Sequence, residues 1–331
     1  MAGKPQVTGA LALAALTVIV TAVAWPPVTD AQVRYPERPV RIIVPSAAGG
    51  IPDVTTRLVG EGLGARLGQR FVVENVPGAG GAAAARTTLA APADGYTLTL
   101  LTNATAISVP LFKHLSFDPL KDFVPVSSIG YFDGVFVTSA ASGYKTLRDF
   151  LAAARAKPGA LNIGTINVGS TQNLSAELLK SLADANFVII PFRTTSDAVT
   201  ALMRNDVQMV VDFPSALRTG LADHKLLPVA ATGPVSARSL GGVPTVAEAG
   251  VPGYEVKAWS ALYAPAATPK ADIDVLNAAL RLVLEDPGLR KHAAELGIEA
   301  HAGSAAEIDA QLRDDIDKWS KLIADAKIPK Q

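Results

Sequence analysis

The first stretch of the 331-residue sequence that could bind a ligand is the glycine-containing loop 45–53, PSAAGGIPD. It follows an apolar run and precedes a stretch in which apolar residues recur with helical spacing. Gly49 and Gly50 permit backbone shapes closed to other residues, and a helix start leaves N–H groups without partners. Such a start attracts a carboxylate or a phosphate. An ordinary tight turn, with Asp53 complementing the helix dipole, would explain the same residues.

A second loop of this kind is formed by residues 167–173, NVGSTQN, about 120 residues further on. Ser170 or Thr171 can cap the helix that follows, and free N–H groups again point away from its start. Asn173 adds one acceptor and two donors. Plain helix capping is the alternative interpretation. A third candidate, 102–105, ends a predicted strand with the polar side chains of Thr102, Asn103 and Thr105, and a polar turn is its alternative.

Several kinds of chemistry find no support in the sequence. The absence of cysteine excludes disulfides, thiolate nucleophiles and cysteine-ligated zinc. The four histidines are not paired at metal-ligand spacing, and neither a phosphate-binding P-loop motif nor a nucleophile-elbow motif occurs. Residues 78–83, GAGGAA, faintly match a dinucleotide fingerprint but lack the acidic residue expected about 20 positions later. We therefore predict no catalytic residue, no metal and no cofactor.

These loops need a scaffold in which strands and helices alternate. The predicted strands are 40–44, 71–74, 96–101, 135–138, 161–164, 187–191, 208–212 and 227–231. The predicted helices are 52–67, 81–90, 147–156, 174–182 and 197–203, and the chain is mostly helical from residue 271, with amphipathic stretches at 271–284 and 306–323. This alternation favours an α/β fold with mainly parallel sheets. Apolar crossings near 126–137 and 228–233 favour two joined sheets with a ligand cleft between them.

Length, charge and the N-terminal residues set the broad class. A chain of 331 residues is long enough for two domains, and 30 basic residues balance 30 acidic ones. This balance gives no reason to expect nucleic acid or an anionic membrane as a partner. Lys4, the apolar run 10–24 and the small residues around Ala31 predict a signal peptide over 1–31. An uncleaved N-terminal anchor is the alternative.

Segments spread along the chain, in this order, resemble the Bug family of periplasmic receptors, which serve tripartite tricarboxylate transporters. They begin with YPERPVRIIVP at 35–45 and GG at 49–50 followed by Asp53, and continue with VEN at 73–75, PGAGG at 77–81 and DGYTL at 94–98. FDP at 117–119, KDF at 121–123, GS at 169–170 and VPTVAEAGVPGY at 243–254 follow, with Trp259 after them. The likeness spans almost the whole chain after the signal peptide.

The resemblance implies a two-lobed α/β fold of the periplasmic-binding (Venus flytrap) type, with two mainly parallel sheets flanked by helices and a cleft between them. Domain one would hold residues 33–130 and 233–331, and domain two 131–232. The protein would be a monomeric receptor that captures a small carboxylate, a dicarboxylate or an aromatic acid, and delivers it to membrane transporter subunits. It would not be an enzyme.

The resemblance also suggests roles for individual residues. Ser46, Ala48, Gly49 and Gly50 would contact the near carboxylate, and Asp53 would accept from a ligand or water donor. Thr102, Asn103 and Thr105 would line the floor, and Gly169, Ser170, Thr171 and Asn173 would close from domain two. Asp212 would meet a ligand hydroxyl or amine or orient a turn. Trp259 would form an apolar wall or pack at the hinge.

Three positions depart from the family pattern. The family often has an aromatic residue at the position of Ser46, a histidine at that of Asn173 and another near Ala106. Each change is to a smaller side chain, so we expect a roomier pocket and an elongated or aromatic carboxylate. Two other readings stay open from the sequence: a receptor that passes a ligand signal to a membrane kinase, and a small-molecule enzyme on a doubly wound fold.

Overall fold

The structure is a computed structural model that describes residues 1–3 and 35–331. The predicted signal peptide therefore lies almost wholly outside the described residues. Residues Tyr35–Gln331 form one compact unit built on two five-stranded sheets. None of the helices in the described part of the chain combines the length and the apolar character that a membrane span needs.

Ten strands and eleven α-helices lie along residues 35–331, and they largely alternate until the three helices that follow the last strand. The strands are β1 (Val40–Val44), β2 (Phe71–Asn75), β3 (Thr97–Thr102), β4 (Phe123–Asp133), β5 (Val135–Ser139), β6 (Asn162–Ile166), β7 (Val188–Phe192), β8 (Met209–Asp212), β9 (Leu226–Ala231) and β10 (Lys257–Pro265). The helices are α1 (Ile51–Leu67), α2 (Ala82–Leu89), α3 (Asn103–Leu111), α4 (Leu147–Ala156), α5 (Thr171–Ala183), α6 (Thr195–Met203), α7 (Arg218–Ala222), α8 (Pro234–Ser239), α9 (Lys270–Leu284), α10 (Pro287–Glu295) and α11 (Ala305–Asp325).

The two sheets share one plan, and both are mixed. The first has the strand order β2-β1-β3-β10-β4 and the second β7-β6-β8-β5-β9. In each, two pairings on one side are parallel and two on the other are antiparallel. The expected βαβ units are present, but the sheets are half parallel rather than mainly parallel. The difference arises because β10 and β5, which each begin at a crossing between the lobes, pair antiparallel with both of their neighbours.

Each sheet is buried between helices. β1, β3 and β10 supply Ile42, Leu98 and Leu262 to a core that helices α1 and α9 cover. β5, β8 and α6 supply Val137, Val210 and Leu202 to a core of the second sheet. A larger apolar cluster joins the two, because it includes residues of α3 and α11 as well as of α4 and α5. Burial of these side chains stabilises both sheets and fixes the strand ends that carry the loops described below.

The chain crosses between the lobes at three adjacent segments that are hydrogen-bonded to one another. Thr232 lies in the middle: its N–H donates to Gly134 O (2.9 Å), and its own carbonyl accepts from Val256 N (3.0 Å). The Thr232 hydroxyl accepts from Gly134 N and donates to Val256 O, both at 2.8 Å. The hinge between the sheets is therefore three bonded strand segments, at residues 133–135, 231–233 and 256–257.

One segment assigned to the first domain by sequence packs elsewhere. Ala231 N donates to Pro244 O (2.9 Å), Arg148 Nε on α4 donates to Ala249 O (3.1 Å), and the Tyr254 hydroxyl donates to Ser175 O on α5 (3.1 Å). Residues 244–254 thus lie against elements of the second sheet before the chain returns to the first sheet at Lys257.

A buried carboxylate lies at this hinge. Asp133, the last residue of β4, is 1% exposed. Its Oδ2 accepts from Val235 N (2.6 Å) and Ser236 N (3.3 Å), while Oδ1 has no partner among the described residues. Burial raises the pKa of Asp133 to about 6, against the lowering effects of these two N–H groups and the Lys257 ammonium; the Glu255 charge raises it slightly further.

We expect Asp133→Asn to flatten the pH dependence of stability. A carboxyl whose pKa rises from 3.8 unfolded to about 6 folded binds more protons in the folded state. It therefore favours the folded protein at low pH, and this contribution is lost as the pH rises from about 4 to above 6. Between pH 5 and pH 7.5 the wild type should lose about 1 to 1.5 kcal/mol from this group, and Asp133→Asn should not. Urea unfolding of both proteins at the two pH values measures the difference, and equal pH slopes would contradict it.

Candidate functional site

A cavity of about 640 Å³ lies between the strand ends of the two sheets. The first sheet contributes loops at the starts of α1 and α3 together with Phe132, and the second contributes the starts of α5, α6 and α7 and the end of β8. The lining residues are Gly49, Gly50, Ile51, Pro52, Thr102, Asn103, Ala104, Phe132, Thr171, Gln172, Thr195, Asp212, Phe213, Ser215, Ala216 and Arg218. Both lobes therefore form its walls.

Four helices of eight or more residues begin at this cavity: α1, α3, α5 and α6. Their first residues, Ile51, Asn103, Thr171 and Thr195, all line it. The N–H groups of a helix's first turn have no partner within the helix, and the helix dipole places partial positive charge there. Four such ends around one cavity favour an anionic group inside it.

The loops before α1 and α5 are built alike. The N-cap residues Gly50 and Ser170 have nearly the same backbone angles, φ −72°, ψ 161° and φ −70°, ψ 161°. The preceding residues, Gly49 and Gly169, have φ of +83° and +77°, in the left-handed region that favours glycine. In each loop that glycine N–H donates to the side chain four residues on, to Asp53 Oδ2 (2.8 Å) or to Asn173 Oδ1 (3.0 Å).

Asp53 anchors the first loop from behind. It is 2% exposed, and its Oδ1 accepts from Arg57 Nε (2.9 Å) and from Asn75 Nδ2 (3.0 Å), in addition to the Gly49 contact at Oδ2. Burial alone would raise the pKa of Asp53, but the hydrogen bonds from Arg57, Gly49 and Asn75 and the Arg57 charge outweigh it and lower that pKa. The carboxylate stays charged and holds the loop; it does not line the cavity.

Asn173 has the matching position in the second lobe without the charge. It is 3% exposed, and its Nδ2 donates to Thr165 Oγ1 (3.3 Å). Ser170 caps α5, because its hydroxyl accepts from Asn173 N (3.1 Å) and donates to Ile166 O (2.6 Å). Of the two capping residues that the sequence allowed, the structure selects Ser170 and leaves Thr171 to face the cavity.

A hydrogen bond joins the lobes at the cavity floor. Asn103 Nδ2, at the start of α3, donates to Thr171 Oγ1, at the start of α5, over 2.8 Å. Behind it, Thr102 N donates to Thr105 Oγ1 (3.2 Å), so the Thr105 hydroxyl fixes the beginning of α3 instead of lining the cavity. Residues 103–105, which were expected to end a strand and had a polar turn as their alternative, are therefore the first turn of a helix.

Asp212 lines the cavity, but its oxygens are already occupied. Oδ1 accepts from Gln172 Nε2 (2.8 Å) and from Phe213 N (2.7 Å), and Oδ2 accepts from the Thr195 hydroxyl (2.6 Å). Burial raises the pKa of Asp212, and these hydrogen bonds act in the opposite direction. The carboxylate holds Gln172 and Thr195 in place, so that the Gln172 amide oxygen is left to accept from a ligand.

The structure thus brings only some of the predicted residues to the cavity. Gly49, Gly50, Thr102, Asn103, Thr171 and Asp212 line it. Ser46, Ala48, Asp53, Thr105, Gly169, Ser170, Asn173 and Trp259 do not. Several of the second group position the lining residues, as shown above for Asp53, Asn173 and Ser170. Ser46, Ala106 and Asn173, the positions expected to enlarge the pocket, are all absent from its wall.

Trp259 is a core residue of the first lobe and forms no wall of the cavity. It lies on β10, is 2% exposed, and its Nε1 donates to Asp315 Oδ2 on α11 over 2.6 Å. Because the indole is enclosed between β10 and α11, it cannot reach a ligand between the lobes. The indole therefore lies in the core and not among the lining residues of the cavity.

Sequence reasoning missed several lining residues. Gln172 is the second residue of α5 and Thr195 is the first residue of α6, while Phe213 and Arg218 follow β8. The available signal was positional: parallel strands such as β6 and β8 end at the same edge of a sheet, where residues that follow them meet.

Among the described residues, no group of three or more His, Cys, Asp or Glu side chains is arranged to hold a metal ion.

Comparison with known proteins identifies the family. The model of the tripartite tricarboxylate transporter family receptor, TctC, matches residues 55–328. BugT of Bordetella pertussis is 28% identical over 320 residues, which are 96% of this chain and 97% of that protein.

Two solved structures share the fold over their full length. Rpa4515 of Rhodopseudomonas palustris, solved with adipate, is 30% identical, covers 89% of this chain and 99% of its own, and has a TM-score of 0.78. MatC of the same organism, solved with malate, is 29% identical, covers 87% and 100%, and has a TM-score of 0.73. The resemblance found in the sequence is confirmed, and so is the two-lobed α/β fold of periplasmic binding proteins. The chain belongs to the TctC family of tripartite tricarboxylate transporter receptors, which are solute-binding proteins.

Proposed function

We propose that this protein is exported to the periplasm, captures a small carboxylate, either a dicarboxylate or an aromatic acid, between its two lobes and delivers it to membrane transporter subunits. Residues 1–31 act as the signal peptide, and the mature protein works as a monomer. The observation that carries the proposal is the convergence of four helix N-termini on one cavity, in which Asp212, the one carboxylate among the described lining residues, is already hydrogen-bonded.

The hinge supplies the mechanism of capture. A ligand that contacts α1 and α3 from one lobe and α5 and α6 from the other makes its full set of contacts only when the lobes are closed. It therefore shifts the open–closed equilibrium by its differential affinity for the closed form. Neighbouring structures support the ligand class, since Rpa4515 and MatC were solved with adipate and malate.

Native mass spectrometry and a thermal-shift panel test the proposal. The mature protein is purified gently and denatured to release any bound molecule, and a panel of dicarboxylates, aromatic acids and amino acids is then screened. A copurified carboxylate, or a melting temperature raised by panel carboxylates and not by their amides, is the expected result. A preference for neutral or cationic compounds would overturn the proposal.

Thr171→Val should weaken binding with little effect on folding. Valine has nearly the shape of threonine but cannot accept the hydrogen bond from Asn103 Nδ2 that joins the lobes. Loss of one such bond, worth about 1 kcal/mol, should weaken binding of the panel's best carboxylate about fivefold. Ser175→Ala is the matched control: it lies on the same helix, and its hydroxyl bonds only Thr171 O. Equal affinities for the two variants, measured by calorimetry, would contradict the role of Thr171.

A further inference from the structure

An arginine on the cavity wall has no partner among the described residues. Arg218 is the first residue of α7, which follows β8 of the second sheet. It lines the cavity, and no hydrogen bond or ion pair joins its guanidinium to any other residue between 35 and 331. By contrast, Arg57 at the first loop is paired with Asp53 and Asn75. The cavity thus holds one guanidinium that is free to bind a ligand.

Among the described residues that line the cavity, only Arg218 and Asp212 have ionisable side chains, and they do not neutralise each other. The Asp212 oxygens accept hydrogen bonds from Gln172, Thr195 and the Phe213 N–H, and Asp212 forms no salt bridge with Arg218. The charge that remains available to a ligand is therefore positive at two places: at the helix starts and at Arg218.

Two aromatic rings lie on the wall with these polar groups. Phe132 from the first lobe and Phe213 from the second pack edge to face, with their centroids 5.3 Å apart. Phe213 is five residues before Arg218, whereas α1 and α3 begin in the other lobe. A ligand anchored at the start of α1 or α3 can place apolar atoms against this pair and still present its far end to the second lobe.

On these grounds we infer that Arg218 is a specificity-determining residue, which binds a second acidic group of a ligand whose first carboxylate lies at the helix starts. This inference rests on the proposed function. A guanidinium presents N–H groups in a fixed fork that matches a carboxylate, so the contact discriminates between a carboxylate and a neutral group of the same size. It also gives the ligand one charged contact in the second lobe, which a monocarboxylate lacks.

Matched pairs of ligands test the inference. The probes are the linear diacids of four to eight carbons, each with its monoamide, which has the same size but lacks the second charge. Calorimetry with wild-type protein should show the tightest diacid to bind at least about tenfold more strongly than its monoamide, as expected for a charge-assisted contact. In Arg218→Gln this preference should fall to about twofold or less, while affinity for the monoamide changes little. Arg218→Lys should keep an intermediate preference, because it retains the charge without the fork.

Arg204→Gln is the control, because it removes the same charge at the far end of α6 from the cavity. It should keep the wild-type preference, and urea unfolding should show all three variants to be folded. A wild type that binds diacid and monoamide equally, or binds only aromatic monoacids, would overturn the role of Arg218 and leave the proposed function standing. So would an Arg218→Gln protein that keeps the preference. A wild type that binds no carboxylate at all would overturn both.

Discussion

Replacing Trp259 with alanine should destabilise the protein by about 3 to 5 kcal/mol, the range found for large aromatic side chains in well-packed cores. The indole is 2% exposed between β10 and α11, and its removal leaves a large cavity. The change also removes the donor to the Asp315 carboxylate, itself only 6% exposed. Because burial already raises the pKa of Asp315 against the Trp259 hydrogen bond, loss of that bond should raise it further.

Trp259→Phe separates packing from hydrogen bonding. Phenylalanine keeps most of the volume but cannot donate to Asp315, so we expect a cost of about 1 to 3 kcal/mol for the carboxylate left unpaired. Combining it with Asp315→Asn should recover part of that cost, since the amide carries no charge to bury. The measurement is the urea midpoint of each variant. An alanine variant as stable as the wild type would contradict the position of Trp259 in the core.

Asp53→Ala should have the next largest effect, on stability and on binding together. It removes the acceptor of three hydrogen bonds, from Gly49 N, Arg57 and Asn75. Since bonds to a charged group are worth roughly 1.5 to 3 kcal/mol each, we expect a loss of at least about 3 kcal/mol in the free energy of unfolding. The Gly49–Gly50 turn also loses its anchor, so affinity for the panel's best carboxylate should fall by more than tenfold.

The second lobe shows which control to use. Asn173 holds the corresponding loop with an amide, so Asp53→Asn should keep the Gly49 contact and lose mainly the ion pair with Arg57. We expect it to bind within a few-fold of the wild type. The reverse change, Asn173→Asp, places a carboxylate behind the second loop, where the Asn173 side chain bonds Gly169 N and Thr165 Oγ1 and no arginine, and should weaken binding of an anion. If Asp53→Asn and Asp53→Ala bind equally poorly, the charge and not the loop geometry is what matters.

How far the sequence could predict this molecule depended on how local each signal was. α1 was predicted within one residue, because Gly50, Pro52 and Gly68 mark its ends and Gly68 adopts the left-handed conformation that stops a helix. β4 and β10 were missed. Both are buried almost throughout, so they lack the alternation of apolar and polar residues that identifies a half-exposed strand.

The site was predicted at its loops and missed where partners are distant in sequence. Gly49 and Thr171 follow strands and precede helices, a pattern visible in the sequence. That Asp53 faces away from the cavity, or that Asp212 is already bonded to Gln172 and Thr195, depends on contacts between residues 17 to 40 positions apart. A residue that holds a loop in place and a residue of the same loop that lines the cavity look alike in the sequence. Both kinds were therefore predicted to contact the ligand. The helix α3 was not predicted, because residues 102–105 were expected to be the polar end of a strand, with a polar turn as the alternative.

The hinge has a consequence for the way the lobes can move. Three segments lie side by side at 133–135, 231–233 and 256–257, and Thr232 bonds the outer two to the middle one through both backbone and hydroxyl. A single connecting strand would allow the lobes to rotate in the plane of the hinge, to bend apart and to twist about the hinge strands. Three strands that are hydrogen-bonded to one another resist the first two motions, because those motions would stretch the hydrogen bonds between them. Twisting about the strands remains the easiest motion. We therefore expect the lobes to open and close mainly by twisting about the hinge, so that the two walls of the cavity return to the same relative position at each closure.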